Sequence, residues 1–243
     1  MIDTLSKADI KRIRSLRLKK NRDEMGWFLA EGEKLIRQFI LCGMKAVLIV
    51  GTEEHPDFTA LKQTDSKTFK DLSQLDHPSG LLALFQKPNF QKLEHPQRVE
   101  FYFEDIQDPG NFGTILRTAS WFGLQKIYCS PFSVDRFNSK VVQSSMGSIA
   151  LVDVEEISVE GILSRWKSEK RKVFTADMQG IPYKSIDSNS NQIGVILGNE
   201  GKGISAALRK EIEYSIQIPA HENSKMESLN VSIAASILMS HFY

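Results

Sequence analysis

The sequence predicts an α/β protein of two domains, a small α/β unit followed by a larger, mostly parallel sheet with helices on both faces. Three observations carry that prediction. Short apolar strands alternate with helical stretches from Trp27 to the end of the chain, and strand-then-helix order repeated at this spacing builds parallel sheets. A weakly apolar stretch with two prolines, Lys87 to Gln97, separates two such series and reads as a linker. In the second series, polar loops bearing glycine follow the strands, which is where α/β sheets hold ligands.

Composition sets the outer bounds. The chain has 243 residues, 41% hydrophobic and 25% charged, an ordinary globular balance with enough length to bury a sizeable core. No apolar run approaches a membrane span, and Met1-Ile2-Asp3-Thr4 carries no signal pattern, so a cytosolic protein is expected. Cys42 and Cys129 lie in apolar surroundings and are expected as two buried thiols in a reducing compartment, without a disulfide or metal framework. The five histidines show no ligand spacing. A net charge of +1 excludes a polycation, yet Lys7, Lys11, Arg12, Arg14, Arg17, Lys19, Lys20 and Arg22 crowd together with one acid, Asp9. Such a segment either tracks phosphates or is a solvated helix face.

In chain order, Ser6 to Leu18 reads as a helix with Ile10, Ile13 and Leu16 on one side. Trp27 to Ala30 is a buried strand, and Glu33 to Leu41 a helix stopped by Gly43. Ala46 to Val50 is a strand, Thr68 to Leu72 a short helix, and Gly80 to Phe85 a strand. Past the linker come a strand at Val99 to Phe103, a helix from Asn111 to Phe122 and a strand at Lys126 to Cys129. A helix at Ser139 to Ser145, a strand at Ala150 to Val154, a helix at Val159 to Ser168 and a strand at Val173 to Ala176 follow. From Gln192 the chain reads strand, glycine turn, helix, strand, polar loop and a final helix from Val231 to Phe242. The expected domains are 1–87 and 98–243, joined by 88–97.

Three loops concentrate the chemistry. In the first, Asp105 to Arg117, Gly110 and Gly113 allow close backbone approach, and the helix start offers free N–H groups. Arg117, flanked by Leu116 and Ala119, is expected to be partly buried and to need a partner, either phosphate or a structural carboxylate such as Asp105. The second loop carries Glu200 between Gly198 and Gly201, with the wrong spacing for a P-loop. No GxGxxG follows the first long strand, so neither a nicotinamide dehydrogenase nor a Rossmann-type methyltransferase fits. The third ends in Ser228-Leu229-Asn230, with Ser228 and Asn230 good helix caps. The second and third loops are expected at the carboxyl ends of adjacent strands.

Taken together, Asn111-x-Gly113-x-x-x-Arg117, Gly198-x-Glu200-Gly201-x-Gly203, Ile218-Pro219 and Ser228-Leu229-Asn230-Val231-Ser232 resemble the three motifs of the SpoU (TrmH-like) class. These are RNA ribose 2'-O-methyltransferases of the SPOUT superfamily, and the likeness covers about 98–243. Phe28 to Leu35 resembles the RNA substrate-binding domain that often precedes them.

The resemblance implies an α/β-knot fold, a parallel sheet whose closing segment forms a trefoil knot. It implies S-adenosylmethionine held by backbone around Gly198, Asn199, Gly201, Ile218 and Leu229, a homodimer, and no metal. Arg117 would activate the ribose hydroxyl, with Asn111, Glu200, Ser228 and Asn230 as positioning groups. A guanidinium stays protonated, so Arg117 is read as a charge stabiliser in preference to a base. Structured RNA is the expected partner, ribosomal in preference to transfer RNA, with Lys11, Arg14, Arg17, Lys19 and Lys20 as candidate contacts. A transfer-RNA substrate, base methylation and a non-catalytic RNA-binding factor remain alternatives. One departure from the family's pattern is Ala220 to Glu227, which is longer and lacks a glycine.

Overall fold

In the computed structural model, which describes residues 4–58, 61–187, 192–212 and 214–243, the chain folds as two units with one sheet each. The first part of the chain holds α1 (Lys7–Ser15), α2 (Lys19–Met25), β1 (Trp27–Glu31), α3 (Glu33–Leu41), β2 (Ala46–Gly51), β3 (Leu61–Gln63), α4 (Ser66–Leu72) and β4 (Leu81–Gln86). There follow β5 (Val99–Phe103), α5 (Pro109–Trp121), β6 (Lys126–Cys129), α6 (Ser139–Ser145), β7 (Asp153–Glu156) and α7 (Val159–Ser168). The chain closes with β8 (Lys172–Pro182), β9 (Ile193–Leu197), α8 (Ala206–Glu211), β10 (Tyr214–Gln217) and α9 (Val231–Phe242).

The first unit runs to Phe90 and also includes Asp135–Leu151. Its sheet has the order β1-β4-β2-β3, with β4 antiparallel to both neighbours and β3 parallel to β2. Alternation along each strand sorts the core into two faces. Leu29, Leu82 and Leu84 pack with Ile13, Leu16, Phe69 and Leu72, while Phe28 stacks on Phe85, Phe39 packs against both, and Phe137 packs against Phe28. Phe137 belongs to the 135–151 stretch, whose helix α6 lies against β1. That stretch therefore packs with the first unit, although it lies in sequence within 98–243.

The single helix expected from Ser6 to Leu18 is two. Ser6 caps α1, its hydroxyl accepting the Asp9 N–H at 3.1 Å while the Asp9 carboxylate accepts back from Ser6, a capping box. The Ser6 hydroxyl and Lys62 hold the Asp9 carboxyl below its ordinary value. After Ser15 the chain turns, because Arg22 donates to the carbonyls of Leu16 at 2.8 Å and Arg17 at 2.9 Å. Those donations satisfy groups that a continuing helix would have used. The buried Arg22 is neutralised by Asp135, with Nη2 2.5 Å from its carboxylate.

The second unit carries six parallel strands in the order β10-β8-β9-β5-β6-β7. Central strands buried on both faces read as continuous apolar runs, as β5 and β9 do. Glu100 on β5 is the exception, buried with the Trp166 indole donating to it at 2.6 Å. Gly194 makes room for that indole, since a Cβ there would stand 2.5 Å from the Trp166 ring.

Five expectations need correction. Helix α5 starts at Pro109 under an Asp108 cap, not at Asn111, because proline is already fixed for the first helical position. Strand β7 begins at Asp153, since Ser148–Ala150 forms a 3-10 turn. Strand β8 runs on to Pro182, its pairing with β10 shifting register between Ser215 and Ile216. It also lies between β9 and β10, so the two closing strands are not neighbours. Of the thiols, Cys129 is buried but Cys42 only half-buried.

Candidate active site

Strands β5 and β9 pair through Phe103 and Leu197, so the loops after them leave the sheet at the same end. Glu104 continues the ladder, its N–H donating to Leu197 O at 2.8 Å, and its carboxylate accepts the Ser205 N–H at 3.0 Å. The Asp108 carboxylate caps α5 by accepting the Asn111 N–H at 2.7 Å.

Onto this helix start comes Glu200. Its carboxylate accepts the backbone N–H groups of Gln107 and Asp108 at 3.4 Å each and the Asn111 amide at 3.3 Å. Asn111 in turn accepts from the Asn230 amide at 2.9 Å. Asn230 caps α9, its Oδ1 accepting from the Ser232 N–H at 2.8 Å and the Ser232 hydroxyl at 2.6 Å. One chain of hydrogen bonds thus joins three loops that lie far apart in sequence. An anion at a helix N-terminus is electrostatically favourable, which accounts for a carboxylate in this position.

The glycine loop closes on itself. Asn199 exchanges backbone hydrogen bonds with Gly203 at 3.1 and 2.9 Å, and its Oδ1 accepts from Gly201 and Lys202. Its amide donates to Asp105 O at 2.7 Å. A Cβ on Gly198 would fall 2.4 Å from the Gly203 carbonyl, so no side chain fits there. Gly203 itself sits at φ 65°, where glycine carries no penalty.

Arg117 corrects an expectation. It is exposed, with no hydrogen bond or ion pair among the described residues. Asp105 is engaged instead by Ser130 and Asn199. The reason is helical geometry: successive residues point about 100° apart, so the buried Leu116 and Ala119 take the core side. Arg117 shares the outward face with Gly110, Thr114 and Trp121. The guanidinium is therefore unspent.

The other expected residues fall out as follows. Ser228 is exposed and bonds no described residue, Leu229 is exposed, and Ile218 is half-buried just past β10. In the first unit, Lys11, Lys19 and Lys20 are exposed, Lys20 lying 3.8 Å from Glu24. Arg14 pairs with Asp71 at 3.4 Å, and Arg17 donates to the carbonyls of Asp71 and Ser73 at 2.7 and 3.2 Å, so these two guanidiniums also serve the fold. Sequence reasoning missed Asp108 and Glu104 as the groups that fix the loop ends. The Asp108-Pro109 pair was the available signal, since it is a cap followed by a first-turn proline. Among the described residues, no group of three or more His, Cys, Asp or Glu is placed to hold a metal ion.

A parallel α/β sheet whose glycine loop meets a capped helix bearing an exposed Arg117, with these motifs, defines a SpoU-type RNA methyltransferase of the knotted α/β class. Residues 98–240 match the SpoU rRNA Methylase family, and residues 7–83 match the MRM3-like substrate binding domain. The chain belongs to the SpoU rRNA methylase family. The 23S rRNA (guanosine(2553)-2'-O)-methyltransferase RlmP of Bacillus subtilis is 30% identical, with 99% of this chain and 98% of that protein covered. A TrmH-family structure from Porphyromonas gingivalis has a TM-score of 0.80 at 33% identity, covering 98% of each chain. The AdoMet-bound rRNA methyltransferase of Sinorhizobium meliloti also has a TM-score of 0.80, at 26% identity, covering 99% of this chain and 96% of that one.

Proposed function

We propose that the protein methylates a ribose 2'-hydroxyl of ribosomal RNA, using S-adenosylmethionine as donor. The observation that carries the reading is the Glu200–Asn111–Asn230 hydrogen-bond chain, which joins all three motif loops beside an unpaired Arg117. The names borne by RlmP and the Sinorhizobium meliloti protein favour ribosomal RNA.

The residues fit the cofactor. A loop with no room for a side chain at Gly198, the half-buried Ile218 and the exposed Leu229 offer backbone polar groups and apolar contact with little charge. Such a lining suits a neutral nucleoside better than a phosphate. Bound there, S-adenosylmethionine supplies a methyl group on a positively charged sulfur.

The chain's own residues do the rest. Arg117 donates and never accepts, so it holds the ribose oxygen and stabilises the negative charge that grows on it during attack. Glu200, which accepts from three N–H donors, orients the start of α5 and with it Arg117. Asn111 and Asn230 lock the α9 start to the same frame. The hydroxyl proton leaves to water, and two cysteines outside any disulfide suit a cytoplasmic site of action. Labelled S-adenosylmethionine and deproteinised ribosomal RNA test the reading. Nuclease digestion and mass spectrometry are expected to show a 2'-O-methylnucleoside, and a methyl on the base would overturn it.

The protein acts as a homodimer in this reading. Helices α5 and α9 pack through a Thr118–Ser236 contact at 3.1 Å, and around it Trp121 (85% exposed), Leu229 and Ile233 face outward. Exposed apolar side chains grouped in this way mark an interaction face, and one face pairing with itself about a two-fold axis gives a closed dimer. Trp121→Glu is expected to sediment as a monomer. A variant that stays dimeric removes this face from the interface.

A further inference from the structure

The turn after β6 carries a feature that the motifs do not include. Phe132 is 76% exposed, and its ring meets no aromatic or cationic side chain among the described residues. Its backbone is held firmly. Ser130 donates to Asp105 Oδ1 at 2.5 Å and accepts the Asp105 N–H at 2.9 Å. Ser133 accepts the Ile106 N–H at 3.2 Å, and the Val134 N–H donates to Ile106 O at 2.8 Å. The Gln107 amide donates to Phe132 O itself at 2.5 Å. Gln107 is also one of the residues whose backbone N–H binds Glu200. The ring thus stands on the same braced frame as the motif residues, at the carboxyl end of the sheet.

We propose that Phe132 is a stacking platform for a nucleobase of the substrate RNA, a substrate-positioning role that rests on the methyltransferase reading above. The Ser130 and Ser133 hydroxyls, the Phe132 carbonyl and the Val134 N–H are engaged by residues 105–107, and the exposed Phe132 ring is the flat apolar group that the turn presents outward. Every nucleobase presents a π-face, and aromatic side chains bind unpaired RNA bases by stacking on it. A rigid platform does so with little ordering cost, because a phenyl ring has only two torsions to fix. A base stacked on Phe132 fixes an unpaired nucleotide at the sheet end where the motif residues lie, and so helps to present its 2'-hydroxyl to Arg117. A second copy of the chain is the weaker occupant, since the apolar α5–α9 face already offers larger side chains for that contact.

The test compares Phe132→Ala, Phe132→Leu and Phe132→Trp on deproteinised ribosomal RNA from cells lacking the protein. Phe132→Ala is expected to weaken cofactor-free RNA binding and to raise the KM for RNA about 10-fold, the scale of one lost stack. Affinity for S-adenosylmethionine by calorimetry is expected to stay at the wild-type value. Phe132→Trp is expected to restore RNA binding, whereas Phe132→Leu, apolar but without a π-face, is not. The proposal is overturned if Phe132→Ala binds RNA as wild type does, if leucine restores binding as well as tryptophan, or if Phe132→Ala changes the sedimentation of the protein. Wild-type protein that methylates no RNA would instead defeat the methyltransferase reading.

Discussion

Replacing Arg117 with alanine is expected to slow methyl transfer about 100-fold or more, the ~3 kcal/mol typical of one donor that stabilises developing oxyanion charge. Thermal unfolding and S-adenosylmethionine affinity should stay close to wild type. Those two nulls follow from the environment of the side chain. Arg117 is exposed and pairs with no described residue, so its removal orphans no carboxylate and opens no cavity. Arg22 is the contrast, since losing it would strand the buried end of Asp135 and the carbonyls of Leu16 and Arg17. Arg117→Lys is expected to fall between alanine and wild type, because it keeps the charge but loses the planar fork. Single-turnover methylation with calorimetry on the same preparations checks all three. Undiminished turnover by Arg117→Ala would remove the residue from the mechanism.

How much of this was legible in the sequence depends on the range of the interaction. Strand β5, strand β6 and helices α3, α6 and α7 have the expected bounds, because apolar periodicity and flanking breakers are local signals. The motif residues Asn111, Glu200 and Asn230 were also marked as site residues, but their mutual hydrogen bonds were not. Those bonds span 89 and 119 residues, and nothing local records them. The same holds for Arg22 and Asp135, separated by 113 residues, a pairing that neutralises the guanidinium whose donations to Leu16 and Arg17 end α1 early. Sheet order was misjudged because it depends on which crossover the chain takes, and β8 occupies the place expected to be shared by β9 and β10. The burial of Arg117 was misjudged for a simpler reason. Leu116 and Ala119 are its neighbours in sequence, but on a helix they lie on another side.

The second large effect concerns stability. Arg171→Met is expected to destabilise the second unit by about 3–5 kcal/mol at neutral pH, the usual cost of leaving one buried charge without its partner. The Arg171 side chain is 0% exposed, and its Nη2 lies 2.9 Å from Glu100 Oε1 in an ion pair without hydrogen-bond geometry. It also donates to Glu169 at 2.6 Å and to the carbonyls of Gln97, Arg98 and Ile193 at 2.9, 3.3 and 3.4 Å. Burial already pushes the Glu100 carboxyl above its ordinary value, against the pull of Trp166 and Arg171. Without Arg171 that opposition weakens and the carboxyl rises further. A carboxyl whose folded pKa lies above its unfolded one binds protons more tightly in the folded state. Its stabilising share is full below the unfolded value, near 4.5, and is lost as pH rises through the folded value. The deficit of Arg171→Met is therefore expected to be smallest in mild acid and to grow towards neutrality. Urea unfolding across that range, followed by circular dichroism, checks it. Adding Glu100→Gln to Arg171→Met should recover part of the loss and flatten the pH dependence, because the buried carboxyl, left with only Arg165 at 3.8 Å, is then gone. A deficit that stays constant with pH would mean that Glu100 is not the group Arg171 neutralises, and that the cost lies in the lost donations to the carbonyls of Gln97, Arg98 and Ile193 instead.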